Sequence, residues 1–244
     1  MSTKDVIESV IKSTFTTIKK VYDCQKESEC KFCDDVGSRI VFPTYSDKST
    51  TRISEQELRF IFVEQFNKYV LENQKDLYYS VETPTREKYI FSKQKGGPKK
   101  VEKDDKVEKD DKVEKDDKVE KDDKVEKDDK VEKDDKGVSA RTDLVIFQKE
   151  EGEFRRKALI EFKALNPKEE NYLKDICKLE NEEKSCELKY FIQIIENYDD
   201  DTLKSLNNKT KGMGVEINYK CYCLGEGEEV TEKVQKCESL STAE

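Results

Sequence analysis

The sequence predicts an α/β protein with a central mixed β-sheet flanked by helices and interrupted by a low-complexity charged insert. Apolar residues recur at three- and four-residue spacings in several segments, which is typical of amphipathic helices. Short apolar runs rich in Val, Ile and Phe lie between them, which is typical of strands. One hexapeptide occurs six times without a break from Lys100 to Asp135. Helices and strands that alternate in this way favour a layered α/β domain.

The composition is dominated by that repeat. Charged residues make up 42% of the 244-residue chain and hydrophobic residues 34%, a balance that by itself would indicate disorder. The six copies of Lys-Val-Glu-Lys-Asp-Asp hold 12 Lys and 18 acidic residues, and the rest of the chain has 35 basic and 38 acidic residues. Without the repeats the net charge changes from -9 to -3. The remainder can bury a core, and its length predicts one domain or one domain with a small appendage.

The repeat itself does not predict a buried element. Its valines recur every six residues and rotate by about 240° per repeat around a helix of ~3.6 residues per turn, so they form no apolar stripe. Glu102 and Lys106 can pair at i,i+4, but Asp is a poor helix former, so a solvated helix and a disordered segment both stay open. We interpret the repeat as a tolerated expansion in a surface loop, with a spacer or protein-binding role as the alternative.

Before the insert, the chain predicts two helices and two strands. Residues 5–22 place apolar side chains at helical spacing, and a polar loop follows. Ser54 and Glu57 have the arrangement of a capping box at the start of a second helix, over about residues 55–72. The segments LYYSVETP and EKYIFS then have the composition of strands, and the Gly-Gly-Pro at 96–98 marks their end.

After the insert, an apolar hairpin leads into further helices and strands. The segments RTDLVIF and KALIEFKAL predict two strands joined by a turn at Glu151-Gly152. A helix is predicted after Pro167, a buried strand in LKYFIQIIE, a helix after Asp199–Asp201 and a last strand near Val215–Leu224. The predicted organisation is an N-terminal helix with a Cys-containing loop (1–53), a core (54–95 and 137–225), the repeat insert (96–136) and a polar C-terminal tail (226–244).

The chain contains no His, and this absence narrows the chemistry. Ser-His and Cys-His nucleophilic catalysis, His-ligated zinc hydrolysis and His-dependent nuclease motifs are all excluded. Any hydrolysis would have to use carboxylates, lysines and a metal ion. The N-terminal residues lack the apolar core of a signal peptide, and no apolar stretch is long enough to span a membrane. We therefore expect a cytoplasmic protein without membrane contact.

The predicted hairpin places charged residues where apolar ones are expected. Side chains alternate along a strand, so Glu161 and Lys163 point to one face while Ile160 and Phe162 point to the other. A charged pair in such an apolar strand is costly unless it is paired or binds a metal. Asp143 begins the partner strand and can face the same pocket. Two carboxylates and the carbonyl of Phe162 form an oxygen-rich site suited to Mg²⁺ or Mn²⁺.

Lys163 has several roles open to it beside such a metal. It can orient or deprotonate the attacking water, or stabilise the charge that develops on a phosphate. Burial and a nearby metal lower the pKa of a lysine, and an adjacent carboxylate opposes that shift.

The order of these residues resembles the PD-(D/E)xK nuclease superfamily, which includes restriction endonucleases and DNA-repair exonucleases. The resemblance rests on Asp143 in the hairpin and on Glu161-Phe162-Lys163 in the apolar strand, with a helix on each side. It covers about residues 54–224 without the insert. It implies a restriction-endonuclease-like fold in which Asp143, Glu161 and Lys163 are catalytic and the two carboxylates bind the metal. Thr142 stands where the motif has Pro, a position that is loose in the family.

The resemblance also implies a further carboxylate. In that family a Glu from the first core helix often completes the metal site and the catalytic set. Glu57 is the candidate here, and Glu55 is the alternative, because helix phase alone does not separate the two.

Two functions follow from the resemblance. The first is a nuclease that hydrolyses DNA, or less favourably RNA, with Mg²⁺ or Mn²⁺, in defence or DNA repair. The alternative is a nuclease-fold module that binds nucleic acid or a protein partner without cutting. The acidic composition argues against wide nonspecific DNA binding, although the turn residues Arg155–Lys157 offer local positive charge. A homodimer is one option, because nucleases that cut both strands often dimerise.

Three other polar residues carry weaker hypotheses. Arg141 could hold a phosphate, although a solvent-facing position at the start of a strand is favoured. Gln193 could face the pocket or pair within the core. Lys178 could approach nucleic acid, although most helix lysines are only solvated.

The cysteines raise the question of a second metal site. Cys24, Cys30 and Cys33 lie near the N-terminus, and Cys221 and Cys223 lie near the other end. Four thiolates from two pairs can bind zinc, and some nucleases of the superfamily hold an iron–sulfur cluster with widely separated cysteines. The irregular spacing favours free thiols over either metal site.

Overall fold

The computed structural model describes residues 1–26, 37–45, 51–90, 99–100, 138–182 and 186–237. Its helices in these ranges are α1 (Thr3–Cys24), α2 (Glu55–Glu72), α3 (Glu169–Asn181), α4 (Asp200–Thr210) and α5 (Thr231–Lys236). Its strands are β1 (Leu77–Ile90), β2 (Lys99–Lys100), β3 (Val138–Glu150), β4 (Glu153–Ala164), β5 (Leu188–Ile195), β6 (Ile217–Cys223) and β7 (Glu228–Glu229). None of the helices described is long and apolar enough to cross a membrane.

The described strands form one mixed sheet in the order β2-β1-β3-β4-β5-β6-β7. β1, β3 and β4 are antiparallel neighbours, whereas β5 lies parallel to β4 and β6 lies parallel to β5. The connection from β4 to β5 runs through α3, as a parallel pair requires. The predicted α/β class with a mixed sheet flanked by helices is therefore confirmed.

One face of the sheet packs against α1 and α2. Ile160 and Phe162 of β4 are fully buried in this layer. The ring of Phe62 in α2 meets the ring of Phe162 edge to face, with 5.5 Å between centroids. The ring of Phe15 in α1 stacks on that of Tyr222 at 4.8 Å. The N-terminal helix is thus part of the same core as the sheet.

The opposite face packs against α3, α4 and α5. Leu159 of β4 and Phe191 of β5 are buried in this second layer. Tyr172 of α3 stacks on Phe191 with 5.5 Å between ring centroids. The alternation of side chains along β4 therefore divides its residues between two separate apolar layers.

Two predicted boundaries are corrected by the structure. The segments LYYSVETP and EKYIFS were expected as two strands, but residues 77–90 form the single strand β1, with an irregular register between Pro84 and Lys88. The expected polar tail from residue 226 instead contains β7 and α5, and Val230 and Val234 are fully buried. A helix of six residues is too short to show an apolar period in the sequence.

The repeat lies almost entirely beyond the part of the chain that the structure describes. Of the predicted insert at 96–136, only Lys99–Lys100 is described, and these residues pair with Tyr89 and Ile90 as β2. The prediction of a surface-loop expansion for the repeat falls outside the described residues.

Candidate functional site

The structure brings Asp143, Glu161 and Lys163 to one face of the sheet. Phe162 packs in the α1/α2 layer, so its neighbours Glu161 and Lys163 point toward α3, as the predicted alternation requires. The register between β3 and β4 begins at Leu144 and Ile160. Just beyond this pair, the Asp143 carboxylate accepts a hydrogen bond from the backbone N–H of Phe162 at 2.9 Å. Asp143 is thereby fixed beside Glu161.

Glu161 is a fully buried carboxylate. The Lys178 ammonium lies 2.7 Å from Oε1, close enough for an ion pair. Neither Glu161 oxygen accepts a hydrogen bond of good geometry from the described residues. Burial raises the pKa of Glu161 well above its usual range, the Asp175 and Asp143 carboxylates raise it further, and Lys178 opposes the shift. A buried acceptor without a hydrogen bond is costly, so this position needs a reason.

Lys178 is buried, contrary to the expectation of a solvated helix lysine. Its Nζ lies 2.7 Å from Glu161 Oε1 and 2.7 Å from Asp175 Oδ1. It also donates a hydrogen bond to the carbonyl of Arg141 at 2.9 Å. Burial alone would lower the pKa of Lys178, but the Glu161 and Asp175 carboxylates outweigh it and the pKa is raised. Lys178 is therefore an internal cation of the site.

Lys163 lies in a similar environment on the other side of Asp175. Its Nζ is 2.5 Å from Asp175 Oδ2 and 3.2 Å from Glu55 Oε1, and it donates to the carbonyl of Phe162 at 3.2 Å. Burial would lower the pKa of Lys163, but Asp175 and Glu55 outweigh it and the pKa is raised. The neighbouring carboxylates thus outweigh the lowering of the pKa that burial alone would cause.

Sequence reasoning missed Asp175, although a signal for it was present. Asp175 is 6% exposed and bridges the two buried lysines. It lies on the same stripe of α3 as Tyr172, Ile176 and Leu179, all buried. A carboxylate within the apolar stripe of an amphipathic helix needs a buried partner. The position of Asp175 in the apolar stripe therefore indicates, from the sequence alone, a buried charged partner.

The structure brings Glu55, and not Glu57, to the site. One Glu57 oxygen pairs with Arg52 at 2.9 Å and the other accepts a hydrogen bond from the Ser54 hydroxyl, so Glu57 closes the start of α2. Glu55 instead pairs with Lys163. Burial raises the pKa of Glu55, Lys163 opposes the shift, and Asp143 and Asp175 add to it. Residues two apart on a helix face different directions, so only one of the two glutamates can serve this site.

These six residues, Glu55, Asp143, Glu161, Lys163, Asp175 and Lys178, form what we call the charged cluster. Four carboxylates and two ammonium groups make up the cluster, and the Arg59 guanidinium lies 3.9 Å from Asp143 Oδ1. Among the described residues, no three acidic or Cys side chains converge as a complete metal site.

The fit of a metal to the cluster can be tested on its oxygen atoms. Neither Glu161 oxygen accepts a hydrogen bond from the part of the chain that the structure describes. Asp143 Oδ2 holds the Phe162 N–H, while Oδ1 has the guanidinium of Arg59 at 3.9 Å. Two carboxylates on one face of the sheet suit a hard cation such as Mg²⁺ or Mn²⁺. The residues present therefore fit a divalent ion held by Asp143 and Glu161.

The two weaker candidates on neighbouring strands are not part of the cluster. Gln193 pairs within the core: its amide donates to the carbonyl of Leu165 at 2.6 Å and to the Tyr172 hydroxyl, and its oxygen accepts from Tyr219 at 2.8 Å. The side chain of Arg141 is exposed, as favoured from the sequence.

The basic turn between β3 and β4 is largely neutralised by acidic neighbours. Lys157 lies 2.5 Å from Glu150, and Arg155 lies 3.6 Å from the same carboxylate. Arg156 is 3.3 Å from the buried Glu182. The turn therefore offers less free positive charge than its sequence predicts.

Among the described residues, the cysteines belong to no group of three ligand side chains that could hold a metal ion. Cys221 and Cys223 are buried free thiols in the α3–α5 layer. Cys24 is disulfide-bonded, so the prediction of a free thiol is wrong there. Cys30 and Cys33 lie outside the described residues.

Two surface depressions of about 400 and 570 Å³ lie along β6, one beside α4 and one beside α1. Neither is lined by a residue of the charged cluster. A surface depression by itself does not indicate a catalytic or binding function. The buried ionisable residues of the charged cluster are the better candidate site.

No protein-family model, curated protein or solved structure matches the chain.

Proposed function

We propose that the chain is a metal-dependent nuclease that hydrolyses phosphodiester bonds of DNA, with Mg²⁺ or Mn²⁺ held by Asp143 and Glu161. The observation that carries the proposal is the Glu161 carboxylate, which is fully buried and accepts no hydrogen bond from the described residues. It lies beside Asp143 and two residues from Lys163 on the same face of β4. A divalent cation would compensate a carboxylate in this position.

The order of elements supports the proposal. A helix that supplies Glu55 precedes the strands, the Asp143 hairpin follows, and the amphipathic helix α3 comes after Glu161 and Lys163. This order agrees with what the resemblance to PD-(D/E)xK nucleases implies. The resemblance gave Glu57 as the helix carboxylate, whereas the contact with Lys163 favours Glu55 in that role.

The metal, when bound, would lower the pKa of a water molecule and offset negative charge on the phosphate. The Lys163 ammonium is held between the carboxylates of Asp175 and Glu55, on the same face of β4 as Glu161. We therefore assign Lys163 to binding and orienting a phosphate oxygen. Asp175 holds the Lys163 ammonium in place from the α3 side.

A second function has one observation in its favour. Both lysines already pair with the cluster carboxylates, and no three acidic or Cys side chains converge among the described residues. A protein that binds nucleic acid or a partner without cutting could keep such a network for stability alone. This non-catalytic module is the alternative that the experiment must exclude.

The test is a cleavage assay with Mg²⁺ or Mn²⁺ on single- and double-stranded DNA and RNA. Wild type is compared with Lys163→Ala and with Lys189→Ala, a control that removes a buried lysine outside the cluster. We expect cleavage that EDTA abolishes, that Lys163→Ala removes in a folded protein and that Lys189→Ala retains. Absence of cleavage on every substrate together with absence of Mn²⁺ binding would refute the proposal in favour of the non-catalytic module.

A further inference from the structure

The Lys178 ammonium occupies a shell of oxygen atoms that resembles the ligand set of a metal ion. Its Nζ lies 2.7 Å from Glu161 Oε1, 2.7 Å from Asp175 Oδ1 and 2.9 Å from the carbonyl of Arg141. Two carboxylates and a backbone carbonyl are also the donors that hard divalent cations prefer.

We propose that Lys178 is the resident counter-cation of Glu161, and that a divalent metal ion displaces its ammonium from that carboxylate on binding. The inference rests on the proposed function, because it requires Glu161 to be a metal ligand. Lys178 then has a positioning role. In the metal-free protein its ammonium pairs with the Glu161 carboxylate and keeps this buried group in place for metal binding. An uncompensated carboxylate at full burial would otherwise destabilise the fold.

The geometry assigns this role to Lys178 and not to Lys163. The contacts of Lys163 are with Asp175, Glu55 and the Phe162 carbonyl, and Glu161 is not among them. Lys178 reaches Glu161 from α3, so a shift of one long side chain frees the carboxylate without a change in the sheet. A metal and an ammonium cannot share one carboxylate oxygen at close range, since their positive charges repel.

Asp175 gives the displaced ammonium a partner. Its Oδ1 contacts Lys178 and its Oδ2 contacts Lys163, so Lys178 can leave Glu161 and keep one buried counter-charge. A buried lysine that lost every acidic partner would carry a large desolvation cost. Because Asp175 still pairs with the displaced ammonium, the exchange between ammonium and metal does not leave Lys178 as an unpaired buried charge.

The first test measures Mn²⁺ affinity by calorimetry or electron paramagnetic resonance for wild type, Lys178→Met and Lys189→Met. Lys189 is a buried lysine outside the cluster whose Nζ donates to the carbonyl of Glu180, so it controls for loss of a buried ammonium. Without the competing ammonium, Lys178→Met is expected to bind Mn²⁺ about tenfold tighter or more, and Lys189→Met is expected to match wild type. Equal or weaker Mn²⁺ affinity in folded Lys178→Met would overturn the proposal.

The second test uses wild type, so it does not depend on whether Lys178→Met folds. The protein is treated with an amine-acetylating reagent with and without Mn²⁺, and modification of each lysine is measured by mass spectrometry. Displacement predicts that acetylation of Lys178 rises with Mn²⁺ while that of Lys189 is unchanged. Mn²⁺ binding with unchanged Lys178 acetylation would overturn this inference and leave the proposed function standing. Absence of Mn²⁺ binding in wild type would overturn both.

Discussion

Glu55 and Lys163 join the start of α2 to the end of β4 through an ion pair of 3.2 Å between Oε1 and Nζ. The contact passes the C-terminal end of the central strand β4, since α2 packs on one face of β4 and Lys163 points to the other. Glu57, two residues further along α2, has its carboxylate engaged with Arg52 and Ser54. The two glutamates therefore have separable roles, one in the site and one at the helix start.

We expect Glu55→Gln to lower metal-dependent cleavage by about tenfold or more, because the carboxylate that positions Lys163 would be lost. Thermal stability should change little, since Glu55 is partly exposed. Glu57→Gln should instead lower the free energy of unfolding by about 1–2 kcal/mol and retain cleavage, because it weakens the contacts that close the start of α2. Cleavage rates and thermal unfolding of both variants check this. The reverse pattern would return the role to Glu57.

The sequence alone predicted which face of a strand a side chain occupies, because side chains alternate along a strand. Glu161 and Lys163 share a face because they are two residues apart on a strand, and no tertiary information is needed. The sequence could not determine whether Glu55 or Glu57 faces the site. Both lie in the first turn of α2, and only the packing of that helix sets its rotation. Lys178 was misjudged because its burial depends on Glu161, a residue on a different element. Pairing of this kind arises from tertiary structure and not from local pattern.

Asp175 is expected to be the most stabilising residue of the charged cluster. Asp175→Asn would leave the Lys163 and Lys178 ammoniums without their shared counter-charge in a buried position, at a cost of about 3–5 kcal/mol. Urea denaturation measures the loss. Asp200→Asn, at an exposed position in the first turn of α4, is the control and should stay within about 0.5 kcal/mol of wild type. A loss below about 1 kcal/mol for Asp175→Asn would mean that Glu55 and Glu161 compensate the two lysines without Asp175.

Val234 tests whether the C-terminal segment belongs to the fold. It is fully buried in the α3–α5 layer, although it lies in a stretch whose sequence predicts a polar tail. Val234→Ala removes two buried methyl groups and should lower the free energy of unfolding by about 2 kcal/mol. Chemical denaturation checks the value. A stability equal to that of wild type would show that α5 does not contribute to the core in solution.

Cys221 should make the protein less stable as the pH rises above about 9. Burial raises the pKa of this thiol from 9.0 to about 12, and a hydrogen bond with Tyr219 opposes part of the shift. Between these two pH values the unfolded chain loses the proton while the folded protein keeps it. Stability is therefore unaffected below pH 9 and falls with rising pH, by about 1.4 kcal/mol at most per pH unit for one group.

Cys221→Ala removes this titration, so its pH dependence isolates the thiol. The variant should be less stable than wild type at pH 8, because a buried sulfur atom is lost. By pH 10 the difference should shrink by about 1.4 kcal/mol, because only wild type then bears the cost of retaining the thiol proton. Val234→Ala truncates the same apolar layer without removing a titratable group, so its destabilisation should be equal at both pH values. If the difference between Cys221→Ala and wild type were also constant, the thiol would ionise equally in the folded and unfolded states, and β6 would have to be accessible to solvent at Cys221.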